Sequence, residues 1–220
     1  MSKHLQNEIE KLQKTILALC TMVEEQLAAA LKSVIDKDDD LATLVISKDK
    51  AVDNTEIDVE EECLKILALH QPVAVDLRFI IAALKINNDL ERIGDLAVNI
   101  AERGRSIALN GFPLPDFDFN RMFDKAISML KKSIDALINW DVDLAVAVCA
   151  SDDEIDELNR TMFSHFKETV CQKPGLCDAM LDYLSVSRYL ERVADHATNV
   201  AEDVMYMIEG DIVRHGKKES

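Results

Sequence analysis

The segments LERIGDLAVNIAE at 90–102 and LERVADHATNVAE at 190–202 match at eight of thirteen positions. Each carries oxygen donors at spacings of four, four and three. They are Glu91, Asp95, Asn99 and Glu102 in the first copy, and Glu191, Asp195, Asn199 and Glu202 in the second. On a helix turning about 100° per residue, with Glu91 at zero, Asp95 falls near ~40°, Asn99 near ~80° and Glu102 near ~20°. The four share one stripe. A second acid series precedes each copy. In the first half it is Asp49, Asp53, Glu56 and Glu60; in the second, Asp152 and Asp156 recur, and Asn159 and Phe163 stand where Glu56 and Glu60 stood.

Like charges at i,i+4 destabilise a helix by roughly a few tenths of a kcal/mol. Acid stripes on two facing helices add to that repulsion unless a cation lies between them. Carboxylate and amide oxygens make a hard donor set. Zinc preference would normally show as His or Cys, and only His196 adjoins a motif, turned off the stripe. A carboxylate-bridged cluster of iron or manganese, or a Mg²⁺ site, suits these ligands better. The competing reading is a solvated helix surface whose acids are neutralised by Arg92 and Arg192.

Such stripes need long helices to carry them. Leu5, Ile9, Leu12, Ile16, Leu19, Val23, Leu27, Ala30 and Val34 recur at threes and fours, which predicts one amphipathic helix over 5–35. After the acidic turn DKDDD a second helix runs over about 41–69 and stops at Gln71-Pro72, and a third covers 74–107. NGFPLPDFD, at 110–118, has no helical period and reads as the boundary. The pattern then repeats: a helix near 119–139, a turn at Asn139-Trp140-Asp141, a helix to about 171, a break at Lys173-Pro174-Gly175, and a last helix to about 210. DDLATLV (39–45) aligns with VDLAVAV (142–148), and DKAVD (49–53) with DDEID (152–156). The fold class is therefore all-α, two tandem three-helix bundles related by internal duplication, at 1–109 and 118–212, with a linker at 110–117 and a polar tail at 213–220. On the third helix Arg78, Lys85, Arg92 and Arg103 fall at roughly 100–140° from Glu91 and read as its solvated face.

Composition narrows the function. With 25 basic and 41 acidic residues the net charge is −16, which repels phosphate backbones and argues against a nucleic-acid partner. Apolar residues make up 48% of the chain, enough for a substantial core. The five cysteines include no C-x-x-C pair, and fit free thiols in a reducing cytosol. MSKHLQNEIEKLQ lacks the apolar core of a secretory signal, and no uncharged apolar run is long enough to span a membrane. There is no phosphate-binding glycine loop, G-x-S-x-G or H-E-x-x-H.

The two acid-bearing segments, together with HQPVAVDLR at 70–78, closely resemble the signature segments of the PhoU family, and the resemblance extends over residues 5–210. It implies two three-helix bundles with pseudo-twofold symmetry. It also implies paired E/D-x-x-x-D motifs binding multinuclear metal clusters, often iron, with manganese, magnesium or zinc as the other candidates. On this chain those motifs correspond to Glu91/Asp95 with Asp49/Asp53, and Glu191/Asp195 with Asp152/Asp156; Asn99, Glu102, Asn199 and Glu202 match their continuation. The implied role is negative regulation of phosphate uptake and of the phosphate-starvation response, linking the ATPase subunit of a phosphate ABC transporter to a sensor histidine kinase. The expected protein is a cytoplasmic homodimer, peripheral to the membrane at most, and not an enzyme. Two departures bear on the second site: it is poorer in acids, and Ala194 replaces Gly94, so only the first copy leaves backbone room there. A carboxylate-bridged metalloenzyme, hydrolytic or redox, is the alternative, although such di-iron enzymes typically carry Glu-x-x-His and neither repeat does.

Overall fold

A computed structural model describes residues 3–113, 115 and 117–210, all of whose long elements are helices. They are α1 (Lys3–Asp36), α2 (Asp39–His70), α3 (Ala74–Asn110), α4 (Phe119–Asn139), α5 (Val142–Cys149), α6 (Asp152–Gln172) and α7 (Cys177–Glu209), with a 3₁₀ turn at Pro174–Leu176 before α7. The expected tail at 213–220 lies outside the described residues.

The apolar stripe of α1 is buried along its whole length, from Leu5 through Leu12, Leu19 and Leu27 to Val34. It packs on α2 and α3, which pack on each other. The second half repeats this arrangement: α4, the α5–α6 pair and α7 close a second bundle. The duplication extends to the turns. Asp38 and Asp141 occupy equivalent N-cap positions, and their Oδ1 atoms accept from the backbone N–H of Leu41 and Leu144, both at 2.9 Å. Just before them, Lys37 and Trp140 both adopt left-handed backbone, at φ 53° and 54°.

One expected helix is interrupted. The counterpart of α2 breaks at Ala150-Ser151, where the Ser151 N–H bonds Val148 O at 2.9 Å and tightens the last turn of α5. Asp152, Asp153 and Glu154 then fill the first turn of α6, where the positive end of the helix dipole favours acids. In α2 the equivalent stretch, Asp49-Lys50-Ala51, carries no such run and the helix continues.

The most extensive contact in the molecule joins the repeats. α3 and α7 run antiparallel, and a single apolar core passes through both bundles. This corrects the reading of the basic face of α3. Lys85 pairs with Asp203 at 2.9 Å, Arg103 with Asp182 at 3.2 Å, and Arg78 Nε donates to Met207 O at 3.3 Å. Only Arg92 of that set points to solvent. The other three lie on a seam that periodicity alone cannot distinguish from a wet face. Trp140 sits in the expected turn as the left-handed cap of α4, stays partly exposed and stacks toward Phe79 of the other bundle with ring centroids 6.3 Å apart.

Candidate metal centre

The antiparallel pairing of α2 with α3 sets Asp49 opposite Asp95, and Asp53 and Glu56 opposite Glu91, close enough for Asp53 and Asp95 to raise the proton affinity of both Asp49 and Glu91. One turn further on, Asn87 Nδ2 donates to the Glu56 backbone carbonyl and to Glu56 Oε1, both at 3.0 Å. In the second bundle α6 and α7 repeat the register. Asp152 faces Asp195, Asp156 faces Glu191, and Ser187 Oγ donates to Asn159 Oδ1 at 2.8 Å.

Electrostatics agree with the crowding. Burial is the first cause raising the proton affinity of Asp49, Glu91, Glu191 and Asp195, and neighbouring carboxylates add to it. Asp152 is pushed furthest, to about 6, by burial and then by Asp195, Asp156 and Asp153. Its Oδ1 is buried without a hydrogen-bond partner. Arginines stand on the rims and relieve part of this. Arg92 reaches Glu91 at 3.4 Å and Asp95 at 3.2 Å, and Arg160 reaches Asp156 at 3.7 Å. These pairs are largely exposed and contribute little to stability.

The expected ligands divide into two groups. Asp49, Asp53, Glu91 and Asp95 form one quartet; Asp152, Asp156, Glu191 and Asp195 form the other. The trailing residues lie beyond them. Asn99 is half-buried and Glu102 exposed further along α3. Asn199 turns to the seam, where its Nδ2 donates to Asp89 Oδ1 at 3.2 Å, and Glu202 lines a polar cleft there with Lys85 and Asp203. His196, as expected, stays off the stripe: its Nδ1 lies 2.7 Å from Asp89 Oδ1.

The residues fit a hard, oxygen-ligated cation in their chemistry: two carboxylate quartets, in which burial and crowding raise the proton affinity of Asp49 and Glu91 in the first and of Asp152, Glu191 and Asp195 in the second, and a buried, unpartnered carboxylate oxygen on Asp152. They do not form a closed cage. Among the described residues, no three His, Cys, Asp or Glu side chains are arranged to hold a metal ion. The cysteines stand apart from this chemistry: burial pushes the Cys20 and Cys63 thiols up to about 12 and Cys149 to about 11.

Two neighbours of the first quartet escaped the sequence reading. Asn87 lies four residues before Glu91, so the four-residue spacing pointed to it. Gln26, on α1, donates from Nε2 to Asp49 Oδ1 at 3.1 Å. It sits on a different helix from either motif, and no spacing could single it out.

Fold and site together define a class of protein: a duplicated helical bundle bearing one carboxylate quartet per repeat on facing helices. The chain belongs to the PhoU family, whose PhoU domain model matches residues 5–104 and again 119–204. It is 33% identical to a phosphate-specific transport system accessory protein PhoU homolog of Clostridium acetobutylicum, over 94% of this chain and 95% of that one. A homolog of the same description from Aquifex aeolicus is 36% identical, with 94% of each chain covered. The crystal structure of PhoU from Pseudomonas aeruginosa superposes with a TM-score of 0.91 at 33% identity, covering 94% of this chain and 99% of that one. The phosphate transport system regulatory protein PhoU from Streptococcus pneumoniae superposes at 0.83 with 28% identity, covering 96% and 100%.

Proposed function

We propose that this chain is a metal-binding regulatory accessory of a phosphate transport system. It acts as an adaptor that restrains phosphate uptake and phosphate-starvation signalling by contacts with the transporter's ATPase subunit and a sensor kinase. The phosphate-transport role is supported by relatives described as accessory proteins of phosphate-specific transport, matched along nearly their full length. No described helix is long and apolar enough to cross a membrane, so on this reading the chain meets the transporter through its helical surfaces.

The metal part of the reading is supported by one observation: each bundle sets two pairs of acids against each other on facing helices, where burial and then neighbouring carboxylates raise the proton affinity of Asp49 and Asp152. Asp49, Asp53, Glu91 and Asp95 would hold a cation in the first centre, and Asp152, Asp156, Glu191 and Asp195 in the second. Iron suits these oxygen ligands, as do manganese and magnesium. The bound cation would neutralise the clustered charge and tie α2 to α3 and α6 to α7. The chain's own residues supply the oxygens, and the apolar core beneath them fixes the helix spacing.

Elemental analysis of protein purified without chelators tests the metal, and a strain carrying the Asp53→Asn, Glu91→Gln and Asp95→Asn triple variant tests the role. The expected results are bound metal in the parent protein, less in the variant, and loss of phosphate-dependent repression. Repression that persists unchanged in a variant lacking metal in the first bundle would remove the cation from signalling and leave the adaptor role standing alone.

A further inference from the structure

The two carboxylate centres differ in what stands behind them. In the first, Gln26 is 6% exposed, and its amide donates to Asp49 Oδ1 at 3.1 Å. Its carbonyl Oε1 is buried with no hydrogen-bond partner. On α3, Gly94 lies at the same level and leaves room chiefly for Val52. A Cβ there would lie 3.2 Å from Val52 Cγ1, 3.5 Å from Gln26 Oε1 and 4.0 Å from Asp49 Oδ1.

The second bundle fills the equivalent space differently. The caps set the register between α1 and α4: Lys37 and Asp38 correspond to Trp140 and Asp141, and counting back from them the buried Leu19, Val23 and Leu27 fall on the buried Met122, Ala126 and Leu130. In that register Met129, Ile155 and Ala194 replace Gln26, Val52 and Gly94, and all three are buried. A long amide beside a glycine has become a thioether of similar length beside an alanine, with Ile155 in place of the smaller Val52. Asp152, the counterpart of Asp49, receives no amide, and its buried Oδ1 is left without a partner.

We propose that Gln26 is a positioning residue of the first centre, reaching across from α1 to Asp49, and that it makes this centre the tighter of the two cation sites. The proposal rests on reading both quartets as cation sites. An amide held on one carboxylate oxygen fixes the direction of the other before a cation arrives, so less side-chain ordering is charged to binding. The unpartnered carbonyl of Gln26 also places a neutral hard oxygen beside the acids without adding to their repulsion. The second centre has neither feature and must order Asp152 on loading.

The test uses the full-length protein and Mn²⁺ as the probe, with free Mn²⁺ read by electron paramagnetic resonance. Asp156→Asn with Asp195→Asn isolates the first centre; Asp53→Asn with Asp95→Asn isolates the second. The first is expected to bind Mn²⁺ about 10-fold tighter, the scale of a second-layer contact in a metal site. Gln26→Met, which keeps the side-chain length but not the amide, should erase about that factor while the melting temperature in chelator stays unchanged. Grafting Met129→Gln, Ile155→Val and Ala194→Gly into the isolated second centre should tighten it by a similar factor. Equal affinities in the two isolated centres, or a Gln26→Met protein that binds as tightly as its parent, would overturn the proposal; if Gln26→Met does not fold, the comparison of centres and the graft decide. Failure of the underlying reading looks different: neither isolated centre would then bind Mn²⁺ better than a protein with both quartets neutralised.

Discussion

Arg103 on α3 and Asp182 on α7 meet at 3.2 Å across the seam between the repeats, and Ser106 Oγ donates to the other oxygen of the same carboxylate at 2.7 Å. Asp182 is only 8% exposed. A carboxylate held by two donors from the opposite repeat ties the bundles together at one end of the α3–α7 contact, and Lys85 with Asp203 does so further along. Asp182→Ala should lower unfolding free energy by about 1–2 kcal/mol, the range for hydrogen bonds to a charged group reduced because Arg103 is partly exposed. Asp182→Asn, which can still accept from Ser106, should cost less. Urea denaturation of the two variants measures the difference.

Where α1 crosses α3, Gly104 admits the backbone of its neighbour. A Cβ there would sit 2.7 Å from Ser33 Oγ and 3.3 Å from the Val34 nitrogen. The Ser33 hydroxyl is committed to Ala30 O and cannot swing away cheaply. Gly104→Ala should therefore destabilise the protein by about 1–3 kcal/mol despite the better helix propensity of alanine. A rise in melting temperature would show that the helices can separate at no cost.

The duplicated N-caps allow a matched experiment. Asp38→Ala and Asp141→Ala each remove one side-chain bond to an otherwise unpaired helix N–H, and each should cost about 1 kcal/mol by thermal or urea unfolding. α2 continues for 32 residues beyond its cap, whereas α5 has 8, so fraying should spread further through the short helix. Faster amide exchange confined to 142–149 in Asp141→Ala is the expected signature.

Metal-free protein should lose stability as pH rises through the acid range. Asp152 is raised from 3.8 to about 6, so the folded state holds a proton that the unfolded chain has released. That contribution is fully present below the unfolded pKa and disappears as pH climbs to about 6. Asp49, Glu56, Glu91, Glu191 and Asp195 are shifted in the same direction. Glu62, lowered to about 2 by hydrogen bonds and lysines, works oppositely, but its window lies below its usual value of 4.5. The melting temperature in chelator should thus fall between about pH 4 and 6, and Asp152→Asn should flatten the slope. Added Mn²⁺ should reverse the trend by neutralising the quartets. A melting temperature that rises with pH over this interval in the metal-free protein would contradict the electrostatics.

Much of this molecule is legible in the chain alone. The apolar spacing of α1 predicts its buried face residue by residue, because helix pitch is fixed by backbone geometry and the stripe must meet a core. The four-residue spacing of Glu91 and Asp95, repeated at Glu191 and Asp195, likewise determines that these acids share a face, and duplication determines that they do so twice. Periodicity says which residues point together, but not what lies opposite them. Lys85 and Arg103 look like a wet face until α7 packs there, since a basic side chain satisfies water and a buried aspartate equally well on a helical wheel. Gln26 belongs to no pattern; its role comes from a third helix approaching Asp49, a contact set by inter-helix distance. The break at Ala150-Ser151 is a balance between helix continuation and the acids that favour a fresh N-terminus. Apart from that break, the helices, their repeat and the acid stripes follow from the order of residues, because they depend on local geometry. Which polar face became the seam and which centre received an amide behind its aspartate were settled by packing, because both depend on how far apart the packed helices stand.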